Sequence, residues 1–220
     1  LQLAHIISME VAIVVLAAGQ SRRFGKTNKL MLEIGGRPMV VGVVERLAHV
    51  EVAGCTTHMF VVIDPAQKDV SAAIDAIVIP NGVKRIANPA ATDGMGTSIA
   101  AGIAALPSPI DAALVTQGDL PFLTAALVQR LIAAFLADGA TRPTHPVLPD
   151  GTATSPVVWP RRLFSELAAL TGERGGKSLL GAHPACEVVG IDGWLLTDID
   201  TPDDLAQIRQ WSRESDATKR

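Results

Sequence analysis

Apolar and polar positions alternate along the chain in blocks that favour strands followed by helices. Val11-Ala12-Ile13-Val14-Val15-Leu16 is an unbroken apolar run, and it ends in Ala17-Ala18-Gly19. Such a run suits a strand buried on both faces, as in a parallel sheet. A glycine-bounded loop follows from Gly19 to Gly25, and Pro38 then falls where a first helical turn should start. The pattern predicts strands over residues 58–63, 77–79 and 112–116, and helices over 68–76 and 96–106. Thr124 reads as the N-cap of a helix reaching Ala137, because its hydroxyl can satisfy a free backbone N–H.

Beyond Asp138-Gly139 the texture changes. Residues 141–160 hold five of the 14 prolines, with a strand expected over 155–159. Helical stretches follow over 161–170 and 177–182, a strand over 186–190, and a helix start at Thr201-Pro202-Asp203-Asp204. The alternation predicts a three-layer α/β/α fold with a mostly parallel open sheet. Residues 10–211 form its one domain, 1–9 an extension upstream of it, and 212–220 a polar tail. Ligands in such folds sit beyond the carboxyl ends of the strands.

Composition narrows the function. Of the 220 residues 48% are apolar, enough for a sizeable core, and the formal charge of −3 argues against a nucleic-acid surface. Five of the 19 basic residues (Arg22, Arg23, Lys26, Lys29 and Arg37) nevertheless fall within one short stretch, which suits a small polyanion. Cys55 and Cys186 have no CxxC partner and read as small buried hydrophobes, and the five histidines lack zinc-ligand spacing. No apolar run reaches the ~20 residues of a membrane span. A cytoplasmic protein is therefore expected.

A triphosphate needs converging backbone N–H groups, a bend free of Cβ clashes, and cations. The stretch from Leu16 to Gly25 offers all three directly after a strand. It is not a P-loop: five residues separate Gly19 from Gly25, where GxxxxGK[ST] requires four.

The order Leu16-Ala17-Ala18-Gly19-x-Ser21-x-Arg23-x-Gly25, then Asn28-Lys29-Leu30 and Gly36-x-Pro38, resembles the MobA-like nucleotidyltransferases, and within them the molybdenum cofactor cytidylyltransferase branch. The resemblance continues through Asn88, Gly94-Met95-Gly96-Thr97-Ser98, Gly118-Asp119-Leu120-Pro121, Gly172-Glu173-Arg174-Gly175 and Asp198-Ile199-Asp200-Thr201-Pro202. It implies a Rossmann-like nucleotidyltransferase fold in which a nucleotide passes from a nucleoside triphosphate to a small phosphorylated acceptor, releasing pyrophosphate. By the same resemblance, Leu16, Ala17, Ala18, Gly19, Ser21, Arg22, Arg23, Lys29, Asn88, Gly94, Ser98 and Gly118 meet the nucleotide. Arg23, Lys29 and Asp119 carry the catalysis, and Asp119 with Asp200 holds Mg²⁺, with Asp198 supporting them. The Leu-Ala-Ala-Gly form is associated with CTP and Leu-Ala-Gly-Gly with GTP, so Ala18 favours CTP. A molybdopterin-type acceptor and a recipient molybdoenzyme or chaperone are the implied partners.

The acceptor half departs from the pattern. The branch's Gly-His-Pro stretch is replaced by Thr154-Ser155-Pro156-Val157, and Gly-Asp-x-Gly-Ala-Arg by Gly172-Glu173-Arg174-Gly175-Gly176-Lys177. A sugar-phosphate or methylerythritol-phosphate nucleotidyltransferase stays open, as does a non-catalytic nucleotide-binding protein that delivers a cofactor. For Asn88 and residues 94–98 the other reading is a plain turn and helix cap. For Asp200 it is an N-cap, a task that Thr201 could also perform.

Overall fold

The computed structural model describes residues 8–21, 24, 27–199, 201 and 204. Arg22, Arg23, Asp200, the helix expected from Pro202 and the tail lie outside them.

The first apolar run forms β1 (Met9–Ala17), which pairs in parallel with β4 (Cys55–Ile63) on one side and β6 (Ala112–Gln117) on the other. All of its residues from Val11 to Val15 are buried, as a central parallel strand requires. Met9, assigned above to an upstream extension, instead begins β1, and its N–H donates to the Gly54 carbonyl at 2.8 Å. A short hairpin, β2 (Glu33–Ile34) and β3 (Arg37–Pro38), leads into α1 (Met39–Leu47). Pro38 thus precedes the helix rather than opening its first turn.

Helix α2 (Lys68–Asp75) forms as expected, but residues 77–79 are not a strand. Ile77 N–H still donates to Ile74 at the helix end, Val78 is 93% exposed, and Gly82 N–H closes a turn onto Ile79. The Pro80-Asn81-Gly82 sequence is turn chemistry and displaces the pairing segment. The edge strand is β5 (Val83–Ala87), whose Lys84 and Arg85 suit an exposed edge.

Helix α3 (Met95–Ala104) connects to β6, and α4 (Ala125–Ala137) follows. Thr124 caps α4 as predicted, its hydroxyl accepting from Leu127 N–H at 3.2 Å. Strands β7 (Thr144–Pro146), β8 (Val157–Pro160) and β9 (Cys186–Val188) complete the sheet, in the order β5-β4-β1-β6-β8-β7-β9. Only β8 runs against the others. The stretch expected to be helical over 161–170 divides into a 3-10 turn, Arg161–Leu163, and α5 (Phe164–Ala168), while the second expected helix is the single turn α6 (Lys177–Leu180).

One core lies between the sheet and α1, α2 and α4, around Ile13, Val43 and Leu131; the other lies under α3 and α5, around Val14, Ile103 and Trp159. The three-layer, mostly parallel expectation therefore holds. Cys55 and Cys186 are free and half-buried rather than fully buried, and burial pushes the Cys55 thiol upward. Among the described residues no helix is long and apolar enough to cross a membrane.

Candidate active site

Strands β1, β4 and β6 end side by side: Ala17 lies opposite Ile63, and Leu16 opposite Gln117. The loops leaving these ends surround a cavity of ≈ 260 Å³. Leu16, Ala18, Gly19, Ser21, Lys29, Gly94, Ser98 and Asp119 all line it, so the structure gathers eight of the residues singled out above.

The first loop is held by side chains. Ser21, at φ 49°, accepts from Lys29 N–H at 3.0 Å, and its hydroxyl donates to Asn28 Oδ1 at 3.2 Å. Asn28 Nδ2 donates to Gln67 Oε1, and Gln67 Nε2 donates to the Gly19 carbonyl, each at 3.0 Å. Gln20 is tied to Asp64 at 2.8 Å. These bonds tie Gly19, Gln20, Ser21 and Asn28 to one another and to the start of α2, and they hold the backbone of Lys29 at the cavity.

Asp119 follows β6 by two residues. Its Oδ2 stands 2.6 Å from Lys29 Nζ, with both side chains more than four-fifths buried. Its Oδ1 is buried and has no partner. Buried carboxylate oxygens are nearly always hydrogen-bonded or on a metal, so an orphan on a residue that lines a cavity fits a cation or a ligand donor. Ile199 N–H donates to the Asp119 carbonyl at 3.3 Å, which brings the chain just ahead of residue 200 against Asp119. Arg46 on α1 braces the next turn, with Nε donating to the Leu123 carbonyl at 3.0 Å. Thr201 and Asp204 exchange a reciprocal pair of bonds, Thr201 N–H to Asp204 Oδ2 and Asp204 N–H to Thr201 Oγ1.

Among the described residues, three that were expected to meet the nucleotide do not line the cavity. Ala17 is fully buried in the core beneath α1. Gly118 is buried under the loop, with its N–H donating to the Leu16 carbonyl. Asn88 is 2% exposed and spends its side chain internally: Nδ2 donates to Thr97 Oγ1 and Ser98 Oγ, and Oδ1 accepts from Ala90 N–H, all at 3.0 Å. It shapes the turn before α3 and places Ser98, in line with the turn-and-cap alternative.

Gln20, Leu30, Ala91, Thr92, Met95, Gln117 and Glu173 also line the cavity, and the spacing had not marked them as site residues. The sequence around Gly172 was a motif without a position. Here it closes over α3: Gly96 N–H donates to the Gly172 carbonyl at 2.8 Å, and a Cβ on Gly94 would lie 2.4 Å from the Gly172 carbonyl carbon.

A second cavity, of ≈ 440 Å³, adjoins the first and shares Leu16, Met95, Gln117 and Glu173 with it. Its other walls are Ile99, Val115, Thr116, Val157, Trp159, Thr154, Ser155, Gly175, Gly176 and Lys177. Both stretches that departed from the family pattern therefore meet in one place. Among the described residues no three His, Cys, Asp or Glu side chains cluster as a metal cage. Mg²⁺ needs none, since it takes one or two carboxylates and completes its shell with waters and phosphates.

A model of the MobA-like NTP transferase domain matches residues 13–188. The chain is 29% identical to the molybdenum cofactor guanylyltransferase of Cereibacter sphaeroides, over 91% of this chain and 96% of that protein. It is 33% identical to the bifunctional protein GlmU of Micrococcus luteus over 58% of this chain, but the match spans only 26% of GlmU, about a quarter of that relative's length. Rv0371c from Mycobacterium tuberculosis has a similar structure, with a TM-score of 0.72 at 25% identity over 91% of this chain and 98% of that one. A structure of Rv0371c in complex with manganese superposes with a TM-score of 0.67, at 24% identity over 90% and 97% of the two chains.

Proposed function

Because the chain belongs to the MobA-like NTP transferase family, we propose that it is a metal-dependent nucleotidyltransferase that moves a nucleotide from a nucleoside triphosphate to a phosphorylated small molecule. The observation that carries this reading is the pair of adjoining cavities at the ends of β1 and β6, the first lined by Asp119, whose buried Oδ1 is unpartnered. One cavity suits the triphosphate and the other the acceptor.

In this mechanism a phosphate oxygen of the acceptor attacks the α-phosphorus in line. A new P–O bond forms on one side while the bond to pyrophosphate breaks on the other, and pyrophosphate carries away the electron pair. No protein nucleophile takes part. The protein aligns the two substrates and neutralises charge as the transition state forms. Lys29, held beside Asp119, is assigned to the α-phosphate, and by the resemblance Arg23 is assigned to the phosphates and Arg22 to the nucleotide. Asp119 would hold the divalent cation, with Asp200 as a second ligand; the contact of Ile199 with Asp119 supports that pairing. The cation, Mg²⁺ on this reading, polarises phosphate oxygens and offsets their charge. The manganese complex of Rv0371c supports a divalent ion of this kind.

Ala18 in Leu-Ala-Ala-Gly favours CTP, whereas the similarity to a guanylyltransferase favours GTP as the second reading. A molybdopterin-type acceptor is favoured over a sugar phosphate by that same relative, which spans nearly the whole chain. On this reading the product passes to a recipient molybdoenzyme or chaperone. The test is pyrophosphate release with Mg²⁺ across the four NTPs and a panel of phosphorylated acceptors. Acceptor-dependent release with CTP is expected. Release with GTP alone would replace the CTP assignment, and tight NTP binding without release under any condition would favour the non-catalytic delivery protein.

A further inference from the structure

Helix α2 begins without a side-chain cap. Gln67 holds the N-cap position, and its side chain makes no bond to the N–H groups of the first turn. Ser, Thr, Asp and Asn usually stand there, because a short polar side chain can turn back on the helix. The Gln67 amide reaches the other way. Its Nε2 donates to the Gly19 carbonyl and its Oε1 accepts from Asn28 Nδ2, each at 3.0 Å. Both ends of the amide are therefore used on the loop that follows β1, not on the helix that Gln67 begins.

The bond to Gly19 orients a whole peptide. The Gly19–Gln20 peptide is trans and planar, with its C=O and N–H on opposite sides. With the carbonyl held toward Gln67, the Gln20 N–H faces away from it. Gly19 and Gln20 line the first cavity and Gln67 does not, and the Gln20 N–H has no partner among the described residues. Glycine leaves such a peptide free to turn over, since no Cβ opposes either orientation. The connection between β4 and α2 holds the next side chain as well: Gln20 Nε2 donates to Asp64 Oδ2, and Asp64 Oδ1 accepts from Ala66 N–H, each at 2.8 Å.

We propose that Gln67 is a positioning residue for the nucleotide: its amide sets the Gly19–Gln20 peptide so that the Gln20 N–H donates to an oxygen of the bound nucleoside triphosphate. Through Asn28 and the Ser21 hydroxyl it also ties the Lys29 backbone to the same frame. Gln67 itself touches no substrate. The inference rests on the nucleotidyltransferase reading only in taking the occupant of the first cavity to be a nucleoside triphosphate. A loop already held in its binding shape spares the ordering that a loose one must undergo when the ligand arrives.

The test titrates CTP and GTP, each with Mg²⁺, calorimetrically into the full chain and three variants. Gln67→Ser and Gln67→Met cannot hold the Gly19 carbonyl, and each is expected to bind the NTP that wild type prefers about five- to tenfold more weakly, the worth of one such bond. Without ligand, Gln67→Met should melt within about 2 °C of wild type, and Gln67→Ser no lower than wild type, because serine offers α2 a cap. Gln67→Glu keeps an acceptor for Asn28 but has no donor for Gly19, so its affinity should be as low as that of Gln67→Met or lower. Wild-type affinity in Gln67→Met or Gln67→Glu overturns the proposal. So does a melting point several degrees lower in ligand-free Gln67→Met, which would make the amide part of the fold. In the pyrophosphate assay Gln67→Met should raise KM for the NTP by the same factor and leave kcat within about twofold; a lower kcat at unchanged KM counts against the proposal. If wild type binds neither NTP, the nucleotide reading and Gln67 fall together. Weaker binding by the variants, with no pyrophosphate released even by wild type, sinks the enzymatic reading and leaves Gln67 standing; release by wild type beside equal affinities sinks Gln67 alone.

Discussion

Lys29 and Asp119 form an ion pair, and each is more valuable to chemistry than to folding. A pair this close has already lost much of its hydration, so its net contribution to stability is small. Asp119→Asn keeps the shape and removes the charge. Its turnover is expected to fall at least about a hundredfold, at saturating Mg²⁺, with an unchanged circular dichroism spectrum. Full activity would remove Asp119 from the mechanism. Asn88→Ala acts differently, because Asn88 makes three internal bonds and lines neither of the two cavities. It is expected to cost about 2 kcal/mol, mostly from donors and acceptors left buried without partners. For a chain of this size that lowers the melting temperature by about 4–8 °C, readable by calorimetry. Asp119 was legible in the sequence because it closes a buried run at a Gly-Asp turn. The role of Asn88 was not, since its partners Thr97 and Ser98 come within reach only through the path of the intervening turn. Gln117 was passed over for a related reason: an apolar run tells that a strand is buried, not which cavity its last side chain lines.

At the scale of elements, the turn before α3 and the loop at Gly172 clasp each other backbone to backbone. Gly94 has φ 112° and ψ 170°, a conformation almost reserved for glycine, and a methyl group there would collide with the Gly172 peptide. Gly94→Ala is expected to destabilise by about 3 kcal/mol and to weaken nucleotide binding; a denaturant titration and an NTP titration check the two effects. Thr124→Ala should cost only about 1 kcal/mol, the usual worth of an N-cap, and leave turnover intact. Strands and helices with strong periodicity were legible: β1, β4, β6 and α4 fall within a few residues of expectation. Residues 77–79 misled because three apolar residues cannot signal a strand without the turn that follows. The opposed direction of β8 was hidden as well, since strand direction is set by the path between elements rather than by composition.

On the scale of the whole molecule, neither core includes Asp119, and both are continuous without a metal. Chelation with EDTA is therefore expected to abolish pyrophosphate release while the far-ultraviolet spectrum and the melting curve stay within error; added Mg²⁺ or Mn²⁺ should restore the activity. A parallel collapse of structure would show the ion to be structural instead. The three-layer arrangement was legible throughout because it depends on the order of apolar blocks, which the sequence displays directly. The junction of the two cavities was not legible, because it is formed by Leu16, Met95, Gln117 and Glu173 from four separate stretches.

The reversed strand β8 has a consequence of another kind. Every other strand at the cleft arrives there at its end, carrying residues fixed by the sheet behind it. β8 alone begins there, so residues 154–156 approach the cleft as a connection rather than as a continuation of the sheet. A lineage could lengthen or rewrite that connection without disturbing Leu16, Gln117 or Asp119. The architecture thus leaves one wall tied to the sheet and the other free to be retailored to a new molecule.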